Sequence, residues 1–497
     1  MPQAFDNEIY VAEQKKNILK RVGDSQRRLY LEFGGKLIGD FHAARVLPGF
    51  DPNVKIRLLE SLSQSADIII CIHAGDIERK KMRADLGITY DNDALRLIDD
   101  LRSRNVDVTA VVITRFNGQP SALEFKNRLE SHNIKVYLHR EISGYPNNFE
   151  HIVSENGFGA NPYIEVTQPL VVVTGPGPNS GKMGTCLSQI YHEYQRGNQA
   201  HYAKFETFPV WNLPLNHPVN VAYEAATADL QDANALDFFH YDAYGKVAVN
   251  YNRDLQAFPL LKAMLMRITG KPCEYMSPTD MGVNCIASGI IDDEAVRQAS
   301  LTEIARRYYR CQADTALGHG DQQMMDRIGE ICSKAGVDPT SRDVVVAAHE
   351  AAEQCRIQKR GNEGIYCGAA LRLPDGTIVT GKNSPLMHSS SSMILNAVKK
   401  LSGVPESQHL LLPDILESVA AFKRGQAGLD LSETLITLVV SANRDIYAKR
   451  ALDCINLLQR CDAHLSHIPT PGDEAGLRRL GLSYTFDPVV ATKHLFA

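Results

Sequence analysis

Between Thr174 and Thr185 the chain reads Thr-Gly-Pro-Gly-Pro-Asn-Ser-Gly-Lys-Met-Gly-Thr, and residues of these types at this spacing suit an anion. Glycines let backbone N–H groups converge, the start of a helix expected from Lys182 adds a partial positive charge, and the Lys182 ammonium adds a whole one. Gly175, Gly177, Ser180, Gly181, Lys182 and Thr185 are therefore the expected binding residues for a phosphate or nucleotide, the two hydroxyls serving phosphate or a magnesium shell. Two carboxylates are candidate general bases beside that anion. Glu206 ends an expected strand in Lys204-Phe205-Glu206-Thr207, and Asp76 follows another in His73-Ala74-Gly75-Asp76-Ile77-Glu78-Arg79-Lys80-Lys81. Each has a plainer reading: glycine and proline before a helix also serve to turn a chain, and the charged run after His73 also suits a solvated helix start. Glu32-Phe33-Gly34-Gly35-Lys36 and the polar loop Ser277–Asn284 are weaker candidates, a turn and a helix cap being their simpler readings.

The glycine segment resembles the Walker A loop of P-loop nucleotide-binding proteins. It departs from that pattern in two places: five residues separate Gly175 from Gly181 where the ordinary loop has four, and Met183 stands where the magnesium-holding hydroxyl belongs. Thr185 is the nearest substitute, and no second strand ends in a clear Walker B aspartate. What the resemblance implies is phosphate binding first, with nucleotide hydrolysis or phosphoryl transfer second.

The elements that must position these residues follow from hydrophobic period. Ala66–His73, Val106–Thr114 and Ile134–Leu138 read as buried strands separated by helices over Asn92–Ser103 and Ala122–His132, after an opening helix at Glu8–Val22. Alternation of this kind predicts parallel βαβ units with their loops along one edge. Leu170–Thr174, a helix from Lys182 to Arg196 and strand Tyr202–Phe205 repeat the pattern, and Leu255–Thr269, Asp293–Cys311 and Gln322–Ala335 then read as helix after helix. We thus expect a multidomain α/β protein: a Rossmann-like domain at 1–165, a P-loop-like unit at 166–254, a helical subdomain at 255–338 and a further α/β domain at 339–497, entered through a hinge at Asp338–Ser341.

In that tail we expect helix Arg342–Arg360, a hairpin of Gly364–Leu373 and Thr377–Gly381 around Asp375-Gly376, helices Ser391–Ser402 and Pro413–Lys423, strand Thr434–Val440 and helix Asp445–Arg460. The order resembles the cytidine-deaminase-like fold, which implies a three-layer α/β domain. The zinc chemistry of that fold is not expected here: His388-Ser389-Ser390-Ser391-Ser392 replaces the histidine–alanine–glutamate motif, and Ser441-Ala442-Asn443-Arg444-Asp445 replaces the paired cysteines. No metal ligands are assigned anywhere in the chain.

Composition narrows the partners. With 53 basic and 58 acidic residues the formal net charge is −5, which offers no general attraction to nucleic acid or anionic membrane. The ten cysteines include no CxxC pair, the first residues lack the basic and apolar runs of a signal peptide, and no apolar run approaches the roughly 20 residues of a membrane span. A cytoplasmic protein with reduced thiols is the expectation. Gly75–Lys80, Gly175–Lys182 and Ser277–Asn284 together are similar to an uncharacterised bacterial family of roughly 500-residue proteins, known as a domain of unknown function, which implies no particular reaction. Two functions stay open: an enzyme acting on a phosphorylated small molecule or nucleotide, with Lys182 neutralising phosphate, and a non-catalytic ligand sensor or homo-oligomeric scaffold.

Overall fold

A computed structural model describes residues 3–23, 27–83, 87–423 and 428–491, which divide into two compact units, 2–300 and 301–497. The first is built on seven strands: β1 (Arg28–Phe33), β2 (Ala66–His73), β3 (Ala110–Phe116), β4 (Val136–Arg140), β5 (Leu170–Thr174), β6 (Ala200–Phe205) and β7 (Gly282–Val283). All neighbours are parallel, in the order β7-β6-β1-β5-β2-β3-β4. The central strands are continuous apolar runs because both of their faces are covered: every residue of Leu170–Thr174 is buried, as are Asp67–Ile72. Tyr30, Ile69, Cys71, Val112, Val171, Val173 and Tyr202 point to one face, where they pack with Cys186, Leu187 and Ile190 of helix Lys182–Gln195 and with Phe258, Leu261 and Met264 of helix Asn252–Thr269.

Two expectations about organisation change. The strands expected in separate units at 1–165 and 166–254 share this one sheet, since β1 is hydrogen-bonded to β5 on one side and β6 on the other. The region read as helical, 255–338, does carry helices Asn252–Thr269, Asp293–Ala316 and Gln322–Ala335, and it also contributes β7 to the edge of the sheet. A two-residue strand carries too little period to be read from sequence.

The second unit has a four-stranded sheet made from β8 (Gly368–Arg372), β9 (Ile378–Lys382), β10 (Asp462–Leu465) and β11 (Ser483–Phe486), in the order β9-β8-β10-β11. β8 is antiparallel to both its neighbours, and β10 and β11 are parallel. The hairpin β8/β9 and helices Asp343–Ile357, Ser389–Ser402 and Pro413–Phe422 lie where expected. Thr434–Val440 does not form a strand: Leu431–Ala442 is a helix. Asp430 caps it and Glu433 closes a reciprocal capping box, so a local signal at its start outweighs the β-branched composition of Thr434-Leu435-Ile436-Thr437-Leu438-Val439-Val440. The helix expected over Asp445–Arg460 ends earlier, at Asp453, and a 3-10 turn covers Ile455–Leu458.

Candidate functional site

Parallel topology brings the first unit's polar segments to one edge. β1 ends at Phe33 before Gly34-Gly35-Lys36, β2 at His73, β5 at Thr174 before the glycine loop, β6 at Phe205 before Glu206, and β7 at Val283 before Asn284. β5 and its neighbour β2 mark where the chain's connections reverse direction across the sheet, because β2 leaves to β3 on one side and β5 leaves to β6 on the other, and ligands of open α/β sheets bind at such a reversal.

The loop at β5 is closely fitted. Gly181 adopts φ +86° at the mouth of the fourteen-residue helix Lys182–Gln195, a conformation that favours glycine. A Cβ on Gly181 would lie 2.8 Å from Thr114, one on Gly175 would collide with the carbonyl oxygen of Cys71, and one on Gly177 would collide with the Tyr90 ring. The Thr114 hydroxyl donates to the Ser180 carbonyl at 2.8 Å, tying the loop to β3. Lys182 folds back over the loop, its ammonium 3.4 Å from both the Gly177 carbonyl oxygen and Ser180 Oγ. Ser180 is itself buried. Thr185 is buried one turn into the helix, where the thiol of Cys71 lies 3.4 Å from its hydroxyl. It therefore faces the sheet, and its hydroxyl is not on the open side of the loop.

A second group stands two strands away. Lys204 Nζ lies 2.5 Å from Glu206 Oε1 and 2.8 Å from each oxygen of Asp254, which opens helix Asn252–Thr269. Glu206 is therefore drawn into an ion cluster, and Lys204 is committed to two carboxylates. Burial pushes the Glu206 carboxyl above the usual carboxylate range; Lys204 opposes that rise and the neighbouring Asp254 charge reinforces it. Burial would raise Asp254 too, but Lys204 holds it below that range. Two carboxylates around one ammonium are thus pushed in opposite directions, Glu206 up and Asp254 down. Glu32 of β1 joins the group to the loop helix. It accepts a 2.6 Å hydrogen bond from the Tyr202 hydroxyl, and its charge acts on both Lys204 and Cys186.

Glu206 also lines a small, open cleft with Pro209, Trp211, Val249, Asn250, Thr279, Gly282 and Asn284. The walls are held by hydrogen bonds: the Trp211 indole donates to the Asn284 carbonyl at 3.0 Å, Asn284 Nδ2 donates to the Pro209 carbonyl at 2.8 Å, and Asn250 Nδ2 donates to Thr279 Oγ1 at 3.3 Å. Ser277, not Asp280 or Asn284, caps the short helix that follows it, by accepting from the backbone N–H of Asp280, and Asn284 lines the cleft instead. Trp211, Asn250 and Asp254 were missed from sequence. They carry no local motif, and only the sheet order and the antiparallel ribbon Asn234–Leu236/Val249–Tyr251 bring them to Glu206.

Asp76 has a different setting. It is buried in the short helix Ala74–Glu78 and paired with Arg79, while His73 Nδ1 caps that helix by accepting from the N–H groups of Gly75 and Asp76. The charged run after His73 is thus a capped helix start. At the other weak candidate, a Cβ on Gly34 would lie 2.9 Å from the carbonyl of Phe205, so that glycine serves close packing of β1 against β6.

In the second unit His388 precedes helix Ser389–Ser402 and its Nδ1 lies 2.7 Å from Asp473. Asp473 also accepts from Ser390 Oγ at 2.5 Å, Thr470 Oγ1 at 2.7 Å and the Leu431 N–H at 3.0 Å. Asp473 therefore ties together the starts of three helices, Ser389–Ser402, Leu431–Ala442 and Pro471–Arg479, and His388 is one of its partners. The strand-to-helix passage in this sheet is Ser466–Thr470, not 441–445, and it too contains no cysteine. All ten cysteines are free thiols and none is exposed. Among the described residues no helix is long and apolar enough to cross a membrane.

An α/β protein with a glycine loop at the carboxyl edge of a central parallel strand is a broad class, and comparison with known proteins narrows it. Residues 3–336 match the model described as "Domain of unknown function DUF1846, N-terminal" and residues 340–496 match its C-terminal counterpart. The gap between the two, residues 337–339, overlaps the start of the Asp338–Ser341 segment. A UPF0371 protein of Clostridium botulinum (strain Alaska E43 / Type E3) is 50% identical over 501 residues, covering 100% of this chain and 99% of the relative. UPF0371 proteins of Clostridium tetani (50% over 502 residues, 100% and 99% covered) and Clostridioides difficile strain 630 (48% over 502 residues, 100% of both) are similar over the same span. The chain belongs to the UPF0371 family, whose two halves are the DUF1846 N- and C-terminal domains.

Proposed function

We propose that the protein binds a phosphate-bearing small molecule or nucleotide at the carboxyl edge of its parallel sheet, and that Glu206 exchanges a proton with the part of the ligand that enters the adjoining cleft. The observation that carries this reading is the placement of Gly175–Lys182 at the reversal point of the sheet, with a lysine at the mouth of a fourteen-residue helix. Gly175, Gly177, Ser180, Gly181 and Lys182 are the anion-binding residues in this reading. Thr185 is left out, since its hydroxyl turns to Cys71, and a magnesium shell would need oxygen from the ligand or from elsewhere. Asp76 is also left out as a base because Arg79 holds it. Strands lie about 5 Å apart, so β5 and β6, with β1 between them, are separated by roughly 10 Å. That span suits a ligand whose phosphate and reacting group sit at opposite ends. The cleft beside Glu206 admits little more than a water-sized group, so it takes the reacting atoms of the ligand alone.

Calorimetric titration of the full chain with inorganic phosphate, nucleoside mono-, di- and triphosphates and sugar phosphates, with and without magnesium, tests the reading. Binding by the wild type is expected for at least one of them. Lys182→Ala should weaken it by at least about tenfold, the order expected when a full charge leaves a phosphate site. Glu206→Gln should retain binding and lose conversion of the ligand, assayed by mass spectrometry. A wild type that binds none of these, or a Lys182→Ala variant that binds as well as the wild type, ends the proposal.

A further inference from the structure

The second unit brings together a group of side chains that no sequence motif links. His349 lies on helix Asp343–Ile357, His464 on β10 and Asp487 just beyond β11, more than a hundred residues from the first. One ligand atom from each lies within 4.8 Å of the other two. His349 Nε2 is 2.6 Å from Asp487 Oδ2, and His464 Nε2 is 3.3 Å from Asp487 Oδ1.

The two histidines differ in what they lack. The His464 side chain is fully buried, with Nδ1 2.9 Å from the hydroxyl of Thr485. That hydroxyl has its own acceptor in the Ala463 carbonyl and receives a hydrogen bond from Arg342. The other ring nitrogen, Nε2, is buried and stands 3.3 Å from Asp487 Oδ1 without the alignment of a good hydrogen bond. A proton on Nε2 would be expected to complete a hydrogen bond to the carboxylate it faces. The geometry instead fits a proton on Nδ1, donated to Thr485, and a bare lone pair on Nε2 directed at an anionic oxygen. A lone pair and a carboxylate held 3.3 Å apart repel unless something positive lies between them. Arg342 does not fill that role, because its guanidinium is bound to Asp462 at 2.8 Å.

We propose that His349, His464 and Asp487 are the ligands of a divalent transition-metal ion. Two imidazoles and one carboxylate are the donor set of zinc and its neighbours, whereas magnesium and calcium favour oxygen donors alone. Metal–nitrogen and metal–oxygen bonds of about 2.0–2.2 Å bring neighbouring ligand atoms to roughly 3–3.5 Å, near the 2.6 and 3.3 Å that separate the two histidines from Asp487. Thr485 then orients the buried ligand by fixing its tautomer, the usual task of a hydrogen-bond partner behind a metal-bound histidine. The His349 side chain is 48% exposed, so water reaches the ion from that side and completes its coordination. These residues belong to neither the glycine loop nor the Glu206 cleft, so the proposal stands or falls apart from the functional reading above.

The test uses the full chain, stripped with chelator and titrated with zinc by calorimetry and with cobalt(II) by visible absorption. One equivalent is expected to bind, with cobalt d–d bands of an ordered nitrogen and oxygen site. His349→Ala, on the exposed side, and Asp487→Asn should each weaken binding by at least about tenfold, the lower end of what lost metal partners cost. Circular dichroism confirms that each variant is folded, and His349→Ala keeps the test valid if the other is not. Absence of zinc and cobalt binding in the wild type overturns the proposal, as does binding that both folded variants retain undiminished.

Discussion

Gly175 and Gly184 stand nine residues apart on the same loop and helix, and the structure gives them opposite roles. A methyl group on Gly175 would run into the carbonyl oxygen of Cys71, which is backbone of a buried strand and has nowhere to go. A methyl group on Gly184 meets nothing within 4 Å and sits inside helix Lys182–Gln195. Gly184→Ala should therefore stabilise by about 0.5–1 kcal/mol, the usual gain when alanine replaces glycine in a helix. Gly175→Ala should destabilise by roughly 1–3 kcal/mol, the cost of overpacking, and should impair phosphate binding by moving the loop. Urea unfolding followed by circular dichroism reads both, and equal effects would show that the loop is not packed against β2 as described. Only half of this was legible in the sequence. The number of glycines and their neighbour Lys182 announced an anion loop, but which glycine is sterically required depends on Cys71, Thr114 and Tyr90, which reach the loop through the sheet.

At the scale of elements, long apolar strands and strongly periodic helices were legible because each writes its period into the sequence: β2, β5 and helix Ser389–Ser402 fall within a few residues of expectation. The segment Thr434–Val440 misled because branched and aliphatic residues fill it from end to end, and such a run does not distinguish a strand from a buried helix. The deciding residues lie before it. Asp430 accepts from the Glu433 N–H at 2.8 Å and the Glu433 carboxylate accepts from the Asp430 N–H at 3.0 Å. Asp430→Ala should then cost about 1 kcal/mol, as loss of a helix N-cap does, with Asp430→Ser recovering much of it. Measured unfolding free energies for the two variants test this, and an Asp430→Ala variant as stable as the wild type would mean that the cap does not govern the helix. The carboxylate partner of Lys204 was illegible for a different reason. Asp254 opens a helix fifty residues away, and nothing local marks it as facing β6.

At the scale of the whole molecule, buried carboxylates set how stability responds to acid. Burial would raise the pKa of Asp473, but its hydrogen bond and charge pairing with His388, helped by Ser390 and Thr470, hold it down to about 2. A carboxyl whose folded value is depressed takes up protons more readily once unfolded, so it contributes stability above its ordinary value near 4 that disappears as pH falls through about 2. The drop is nearly two pKa units, which corresponds to about 2 kcal/mol. Asp473→Ala should lose on the order of 3 kcal/mol at neutral pH, because His388, Ser390 and the Leu431 N–H lose a common buried partner. Its loss relative to the wild type should shrink by about 2 kcal/mol between pH 4 and pH 2. Asp40 is also held low, against burial, by Lys55 and makes the wild type acid-sensitive for its own reasons, so the readout is the difference between the two chains at each pH. Chemical denaturation across that range supplies it. A difference that stays constant from pH 4 to pH 2 would mean that Asp473 titrates normally, and that the hydrogen bonds around it hold the helix starts together without stabilising its charge.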